Sequence, residues 1–171
     1  MSHAVYLSAA PSGSRIAARL SGAHFADAWS VRAAEPQLPA LGQFLRVAAA
    51  TPRWVENCMR LRNRVVRLFG LKDLGGLSDV AARPPEAFRP GDRVGIFTLL
   101  ENGEDEVLLG DSDKHLDVVL SVHRAPQDDG GAVLTLTTVV HVHNLLGRLY
   151  MLPVTPMHRL IAPATLRAAG R

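Results

Sequence analysis

The fold is decided by residues 133–166, whose sequence is VLTLTTVVHVHNLLGRLYMLPVTPMHRLIAPATL. Between Ala132 and Asn144 the even positions are mostly leucine and valine, whereas the odd positions are mostly threonine and histidine. Successive side chains of a strand point to opposite faces, so this alternation predicts a strand with one apolar and one polar face. Such a split is typical of an antiparallel sheet that is covered on one side only.

A proline-interrupted helix is predicted to follow this strand. Asn144 suits the N-cap position, because its side chain can accept a backbone N–H from the first turn, and leucines recur beyond it at helical spacing. Pro153 and Pro156 each remove a backbone donor and crowd the preceding turn, so we expect the helix to break there and to restart at Thr155-Pro156. Pro163 should bend it again.

Two further helices are predicted between residues 41 and 68. Thr51-Pro52 separates them, as the cap and the first residue of the second helix. Arginines occupy one side of this second helix, and we interpret them as a solvent-facing surface, because no reading element or aromatic partner for nucleic acid accompanies them. Its apolar stripe, which we expect to face the core, comprises Trp54, Cys58, Leu61, Val65 and Leu68, and it is widened by Val55, Met59, Val66 and Phe69.

The sequence pattern of the remaining strands predicts how two neighbouring strands pair. Asn102-Gly103 is a strong hairpin signal between two strands, and residues 116–124 read as a strand beside residues 132–144. The apolar side chains of these last two strands lie on the same face of the sheet only if the numbers of two paired residues add up to an even value. A shift of one strand by one residue would turn each of its side chains to the other face. We therefore expect Leu120 to lie opposite Leu136.

The length of the chain favours one domain. We predict a flexible lead-in over residues 1–14 and a single domain over residues 15–171, with residues 24–33 as an edge strand. Cys58 is the only cysteine, which excludes an internal disulfide and fits a reducing compartment. No apolar run is long enough for a signal peptide or a membrane span. We therefore predict a cytoplasmic protein with neither a membrane nor a nucleic-acid partner.

Three separated groups of motifs resemble a known family. PRWV, LRN and GLK lie between residues 52 and 72, and GDSDKHLD occupies residues 110–117. The third group is HN, GR, Tyr150, Pro156 and HR between residues 143 and 159. Together they resemble the bacterial domain of unknown function 2867 family, whose members are similar to START-like (SRPBCC) helix-grip proteins. The resemblance covers most of residues 22–168.

This resemblance implies an α+β helix-grip fold, in which a curved antiparallel sheet wraps around a long, proline-kinked C-terminal helix. The order of strands and helices predicted from the residues agrees with it. Such a fold commonly leaves a cavity between sheet and helix, and a cavity of this kind is the default ligand site. Members of the family are sometimes fused to short-chain-dehydrogenase-like domains, which implies a dehydrogenase-like partner. Met157 departs from the aromatic residue that the family pattern favours beside His158.

The leading hypothesis is a protein that binds a small apolar or amphipathic molecule in this cavity. We assign no catalytic residue, no metal and no cofactor. The candidate ligand-binding residues come from the sheet, the second helix and the C-terminal helix: Trp54, Leu120, Leu136, Val140, Val142, Tyr150, Met157 and His158.

Two alternatives remain open for the function. The first is an enzyme that acts on a polyketide- or quinone-like ring, with His158 or Tyr150 as the acid or base. The second is an accessory partner of a short-chain-dehydrogenase-like protein. The sequence contains neither a phosphate-binding glycine loop nor a nucleophile elbow that would point to another enzyme class.

A metal site on the polar face of the sheet is a further alternative. The even-sum register that pairs Leu120 with Leu136 would place His115 opposite His141, and imidazole and carboxylate groups there could bind zinc or iron. The simpler interpretation is that these histidines lie on an exposed strand and that the aspartates make turn hydrogen bonds. The residues concerned are Asp113, His115, Asp117, His141 and His143.

Overall fold

The computed structural model describes residues 3–68, 70, 75–78, 80 and 83–171. The strands within these residues are β1 (Tyr6–Ser8), β2 (Phe25–Arg32), β3 (Arg93–Val94), β4 (Phe97–Asn102), β5 (Glu106–Ser112), β6 (Leu116–Pro126) and β7 (Ala132–Val142). The α-helices are α1 (Ala40–Ala49), α2 (Arg53–Leu68) and α3 (Leu145–Leu166). Short 3₁₀ segments occur at Arg15–Arg19, Pro85–Ala87 and Arg167–Gly170.

The described strands form one antiparallel sheet in the order β1-β2-β7-β6-β5-β4-β3. The sheet is not closed, because β1 and β3 are its two edges. The α+β class, the antiparallel sheet and the long C-terminal helix are therefore confirmed. The main core lies where α1 and the C-terminal end of α3 cover one face of this sheet, and it contains Leu41, Phe44, Leu109, Leu134 and Leu166 among its buried side chains.

The register of β6 and β7 agrees with the predicted parity but not with the predicted pairs. Leu120 lies opposite Thr138, two residues away from the expected partner, Leu136. A shift of two residues keeps every side chain on its face, so the apolar pattern cannot distinguish the two registers. The turn decides between them: the ladder closes at Pro126 opposite Ala132, and the N–H of Gln127 donates to the carbonyl of Gly131 (2.9 Å).

Part of the predicted lead-in is a strand of the sheet. Tyr6–Ser8 forms β1, which pairs with β2, and the hydroxyls of Ser8 and Ser30 are 2.8 Å apart. Because β2 lies between β1 and β7, the prediction that residues 24–33 form an edge strand is wrong. A strand of three residues is too short to show a periodicity that the sequence could reveal.

The polar face of the sheet is also covered in part. The 3₁₀ segment Arg15–Arg19 packs against it, and the expectation that the sheet is covered on one side only is wrong at this place. Glu106 of β5 accepts hydrogen bonds from the backbone N–H of Arg15 (2.6 Å) and of Ile16 (3.2 Å), which holds the segment on the sheet. The buried apolar cluster beneath it consists of Ile16, Leu108, Val119 and Val139.

Helix α3 begins as predicted, but its prolines do not interrupt it. The Asn144 side chain accepts the N–H of Gly147 (3.1 Å) at the N-cap. The helix then continues through all three internal prolines, so the predicted breaks are wrong. Each proline frees the carbonyl four residues earlier, and water can satisfy it there because the residues concerned are exposed: Leu149, Leu152 and Arg159. Neither α3 nor any other described helix is long and apolar enough to span a bilayer.

Helix α2 ends at the predicted residue but begins at Arg53, one residue after the expected start at Pro52, and only part of its predicted stripe faces the core. Phe69, at the end of that stripe, lies outside the described residues. The buried residues of α2 are Val55, Asn63 and Val66. Another part of the stripe is exposed, with Leu61 at 63% and Leu68 at 84%. Helical periodicity shows that apolar side chains share one side of a helix, but it does not show whether anything covers that side.

Candidate functional site

A cavity of about 530 Å³ lies between the apolar face of the sheet and helices α2 and α3. This volume is within the range of small-molecule sites. The wall is mainly apolar, because β4, β6 and β7 present apolar side chains to it and α1 closes one side with Phe44 and Val47, while β5 contributes Asp111. Its apolar residues include Phe25, Phe97, Val118, Leu120, Val122, Leu134, Leu136, Val140, Val154 and Ile161.

The opening of the cavity lies between α2 and α3. Some residues both line the cavity and are exposed to solvent, and such residues mark its mouth. Leu61 and Val65 of α2 are 63% and 46% exposed, and Met157 of α3 is 37% exposed. A ligand would therefore enter past apolar side chains of both helices.

Most of the candidate ligand-binding residues lie on this cavity wall. They are Leu120, Leu136, Val140, Tyr150, Met157 and His158. Trp54 does not line the cavity and is 43% exposed. Val142 lies at the end of β7, where the start of α3 covers the sheet, and it lines a separate small groove beside His143 and Arg148. Ligand contact by these residues stays a prediction.

A polar cluster interrupts the apolar wall where α2 meets α3. The Arg62 Nε–H of α2 donates to the Tyr150 hydroxyl of α3 (3.0 Å), and Asn63 links the same arginine to the carbonyl of Gly75. The His115 ring meets the Tyr150 ring edge to face, with centroids 5.1 Å apart. Arg62 was not among the candidate ligand-binding residues, although the LRN motif contains it.

His115 occupies this cluster as a buried imidazole. The residue is 2% exposed, and neither ring nitrogen forms a hydrogen bond within the described part of the chain. Its Nδ1 lies 3.6 Å from Asp113 Oδ2. Burial lowers the pKa of His115, Asp113 opposes this effect, and the positive charge of Arg62 lowers the pKa further. The ring is therefore neutral at neutral pH.

The buried His115 predicts a dependence of stability on pH. The pKa of His115 in the folded protein is below the ordinary value of 6.5. At a pH between the folded and the ordinary pKa, the unfolded chain therefore binds more protons than the folded protein. As a result, the free energy of unfolding falls as the pH falls. His115→Phe keeps a ring against Tyr150 and removes the titration. Chemical denaturation of both proteins should show that the wild type loses more stability than the variant below pH 6.5. Parallel curves would contradict this expectation.

A second polar pair lies on the cavity wall at His158. Its Nε2 is 3.1 Å from Asp27 Oδ1 of β2, and the Trp29 indole N–H donates to the other carboxylate oxygen (3.1 Å). The Asp27 side chain is 9% exposed and that of His158 is 22% exposed. The Phe25 ring packs edge to face against the imidazole, with centroids 5.4 Å apart. This geometry holds the histidine in one orientation.

The structure does not bring together the residues of the metal hypothesis. His115 precedes β6, turns to the cavity side and contacts Tyr150, so the prediction that it faces His141 is wrong. Asp117 is the residue opposite His141. Within the described ranges, no group of three or more histidine, cysteine, aspartate or glutamate side chains is arranged to hold a metal ion.

The outer histidines make local contacts instead. His143 Nε2 lies 2.9 Å from Asp117 Oδ2, and His141 Nε2 lies 2.9 Å from the carbonyl of Arg19. Burial alone would raise the pKa of Asp117, but hydrogen bonds with Ser112 and His143 outweigh it and hold that pKa below its usual value. These contacts fasten the end of β7 to neighbouring segments.

A family model described as "Protein of unknown function (DUF2867)" matches residues 19–165, which is most of the chain. A comparison with curated proteins found no match. Of the motif residues that predicted this family, Leu71 and Lys72 lie outside the described residues.

Proposed function

The chain belongs to the DUF2867 family of proteins of unknown function, and we propose that it binds a small apolar or amphipathic molecule in the cavity between sheet and α3. One observation carries the proposal: the cavity of about 530 Å³ has a mainly apolar wall and an open mouth. Protein interiors are normally close-packed, and a void of this size forfeits contacts that a well-filled core would make. A ligand would restore them.

The positions of the polar groups suggest how the ligand lies. Its apolar part would contact Leu120, Leu136 and Val140 on the sheet side. A hydroxyl or carbonyl group of the ligand would lie near the Tyr150 hydroxyl, which already accepts a hydrogen bond from Arg62. A few placed polar groups in an apolar pocket usually fix the orientation of a ligand.

We also infer that the fold is of the START-like helix-grip kind. The support is the antiparallel sheet, the pair of helices between β2 and β3, and the placement of α3 over β2 and β7. A crystal structure in which the sheet curves around α3 would meet this expectation, whereas a flat sheet would not. The accessory role beside a dehydrogenase-like protein stays a prediction.

The binding test uses the protein as purified, and then a fluorescent probe. Native mass spectrometry and solvent extraction should reveal a co-purifying apolar molecule. The amphipathic probe anilinonaphthalene sulfonate should bind at one site after extraction. Leu120→Trp, which projects an indole into the cavity, should weaken this binding at least tenfold, which corresponds to about 1.4 kcal/mol.

Leu7→Trp is the matched control, because Leu7 lies on β1 and is 66% exposed. It adds the same aromatic group at a position that does not line the cavity and should leave probe binding unchanged. Thermal unfolding of both variants checks that the fold is kept. A protein without a co-purifying molecule and without a probe site, or equal binding by Leu120→Trp, would refute the proposal.

The His158–Asp27 pair favours a second candidate function, proton transfer to or from a bound ring. Asp27 occupies Nε2, so Nδ1 is the nitrogen left to exchange a proton with a ligand, and the carboxylate would stabilise the imidazolium that forms. The test is deuterium exchange at an acidic C–H of the extracted ligand in D₂O. The wild-type protein should accelerate this exchange and the His158→Gln variant should not. Equal exchange rates with the two proteins would contradict proton transfer by His158 and would leave ligand binding as the proposed function.

A further inference from the structure

The outer side of α3 is apolar and exposed. Leu145, Leu149, Leu152 and Leu160 recur at intervals of three, four or eight residues, which places them on one side of a helix with 3.6 residues per turn. Their exposed fractions lie between 55% and 71%. Between Leu145 and Leu166 the helix contains two arginines and no acidic residue. We call this surface the α3 ridge.

Helix α2 presents a second exposed apolar surface, which we call the α2 ridge. It consists of Trp54, Leu61, Val65 and Leu68, which are between 43% and 84% exposed. Exposed arginines lie between and beside these residues: Arg53, Arg60, Arg64 and Arg67. Glu56 is the one acidic residue of the helix.

The two ridges flank the mouth of the cavity. Leu61 and Val65 belong to the α2 ridge and also line the cavity. Met157 lines the cavity from α3 and is itself 37% exposed. The apolar surface of the α2 ridge is therefore continuous with the cavity wall. Together with the α3 ridge it exceeds the single scattered apolar side chains that are normal on a protein surface.

We propose that these ridges dock on the surface of an anionic lipid bilayer. Helices that lie at the membrane interface are too polar to cross a bilayer, and they carry exposed tryptophan and leucine beside arginine. The α2 ridge has this composition. The arginines would contact anionic headgroups while the leucines enter the acyl boundary. The expectation of no membrane partner came from the absence of a spanning segment, which does not bear on surface docking.

Charge favours a bilayer over other occupants of this surface. In a symmetric dimer of two copies, the same patch would face itself and bring the arginines of both α2 helices together, which is unfavourable. Nucleic acid would pair with the arginines but would leave Leu61, Leu68 and the α3 ridge without apolar partners. An anionic bilayer offers partners to both kinds of side chain.

Docking in this way would aim the cavity mouth at the acyl region. An apolar ligand could then pass between bilayer and cavity without crossing water. This step rests on the proposed binding function, whereas docking itself does not. Vesicle binding and probe binding are measured separately, so that failure of one is distinguishable from failure of the other.

The experiment is flotation of the full chain with vesicles. One set is phosphatidylcholine alone, and the other is an equal mixture of phosphatidylcholine and phosphatidylglycerol. The protein should float with the anionic vesicles, and high salt should weaken binding because exposed charges are screened. Arg60→Gln/Arg64→Gln should lower partitioning about tenfold, since each arginine near an anionic surface contributes substantially to binding.

The leucine variants separate docking from mere charge attraction. Leu149→Gln/Leu152→Gln removes two exposed leucines of the α3 ridge and should lower partitioning at least about tenfold. Leu7→Gln is the matched control, because Leu7 is equally exposed on β1 and should leave flotation unchanged. Unchanged thermal unfolding shows that these surface variants keep the fold.

Three results would overturn the proposal. The first is no flotation with anionic vesicles, and the second is an equal loss with Leu7→Gln. The third is a dimer in solution, measured by light scattering, that the Leu149→Gln/Leu152→Gln variant dissociates, since that would assign the face to a second copy of the chain.

Discussion

Replacing Gly147 by alanine is expected to lower the free energy of unfolding by about 3 kcal/mol, although alanine is the better helix former. Gly147 lies in the first turn of α3, where the helix meets the backbone before β6. A Cβ atom there would lie 2.2 Å from the carbonyl oxygen of His115 and 2.8 Å from Val142 Cγ1. Neither distance is compatible with van der Waals contact, so something must move.

The surrounding hydrogen bonds resist that movement. The His115 carbonyl accepts the N–H of His143 (3.0 Å), and the Asn144 side chain bonds both to Gly147 and to the carbonyl of Lys114. Shifting either backbone breaks some of these bonds. The same shift would displace Tyr150 from His115, so binding of the fluorescent probe should weaken together with stability.

Gly42→Ala is the matched control within α1. A Cβ atom at this buried helical glycine would meet Pro39, Pro85 and Leu38 at 3.4–3.6 Å, which is ordinary contact. Alanine should therefore be neutral there or stabilise the protein by up to about 1 kcal/mol. Urea denaturation of the two variants measures the difference. Equal stabilities would show that the close approach at Gly147 can relax at little cost.

Much of the central sheet could be predicted because its signals are local. The alternation in β7 set which face is apolar, Asn102-Gly103 marked the hairpin between β4 and β5, and Asn144 marked the start of α3. Each of these signals depends on a few neighbouring residues. The shift of β6 against β7 could not be predicted, because it depends on the geometry of the turn and not on the apolar pattern.

The exposure of one part of the α2 stripe was not predicted, for a different reason. Trp54, Leu61, Val65 and Leu68 form the stripe that a core-facing helix would show. The expectation that such a stripe is covered by the same chain is a statement about tertiary packing, which one sequence does not contain. If the α2 ridge docks on a bilayer, the stripe does have an apolar partner, but one outside the protein.

The candidates on the cavity wall include the polar residues Tyr150 and His158, but not their neighbours Arg62 and His115. Leu136 and Val140 follow from the apolar face of a long strand. Arg62 and His115 come from segments far apart in sequence, and they meet Tyr150 only because α2 and the backbone before β6 converge on α3. His115 also precedes its strand, so the alternation that assigned it to the outer face does not apply to it.

Glu106 anchors the N-terminal segment, and Glu106→Ala is expected to lower the free energy of unfolding by about 3 kcal/mol. Glu106 is 7% exposed, and its carboxylate accepts three hydrogen bonds, from the N–H groups of Arg15 and Ile16 and from the Ser121 hydroxyl (2.8 Å). Truncation leaves all three donors without this acceptor, and buried donors that lose their partner are costly. The fully buried Ile16 would lose its anchor as well.

Glu101→Ala is the comparison that isolates this effect, because Glu101 also contacts Arg15 but does so at the surface. Its carboxylate lies 2.8 Å from the Arg15 guanidinium, with both side chains largely exposed, and such pairs contribute roughly 0–1 kcal/mol. Chemical denaturation should rank Glu106→Ala well below Glu101→Ala in stability. Hydrogen exchange should show faster exchange of the Ile16 amide in the former. Similar losses from both substitutions would mean that the 3₁₀ segment holds to the sheet through Ile16 alone.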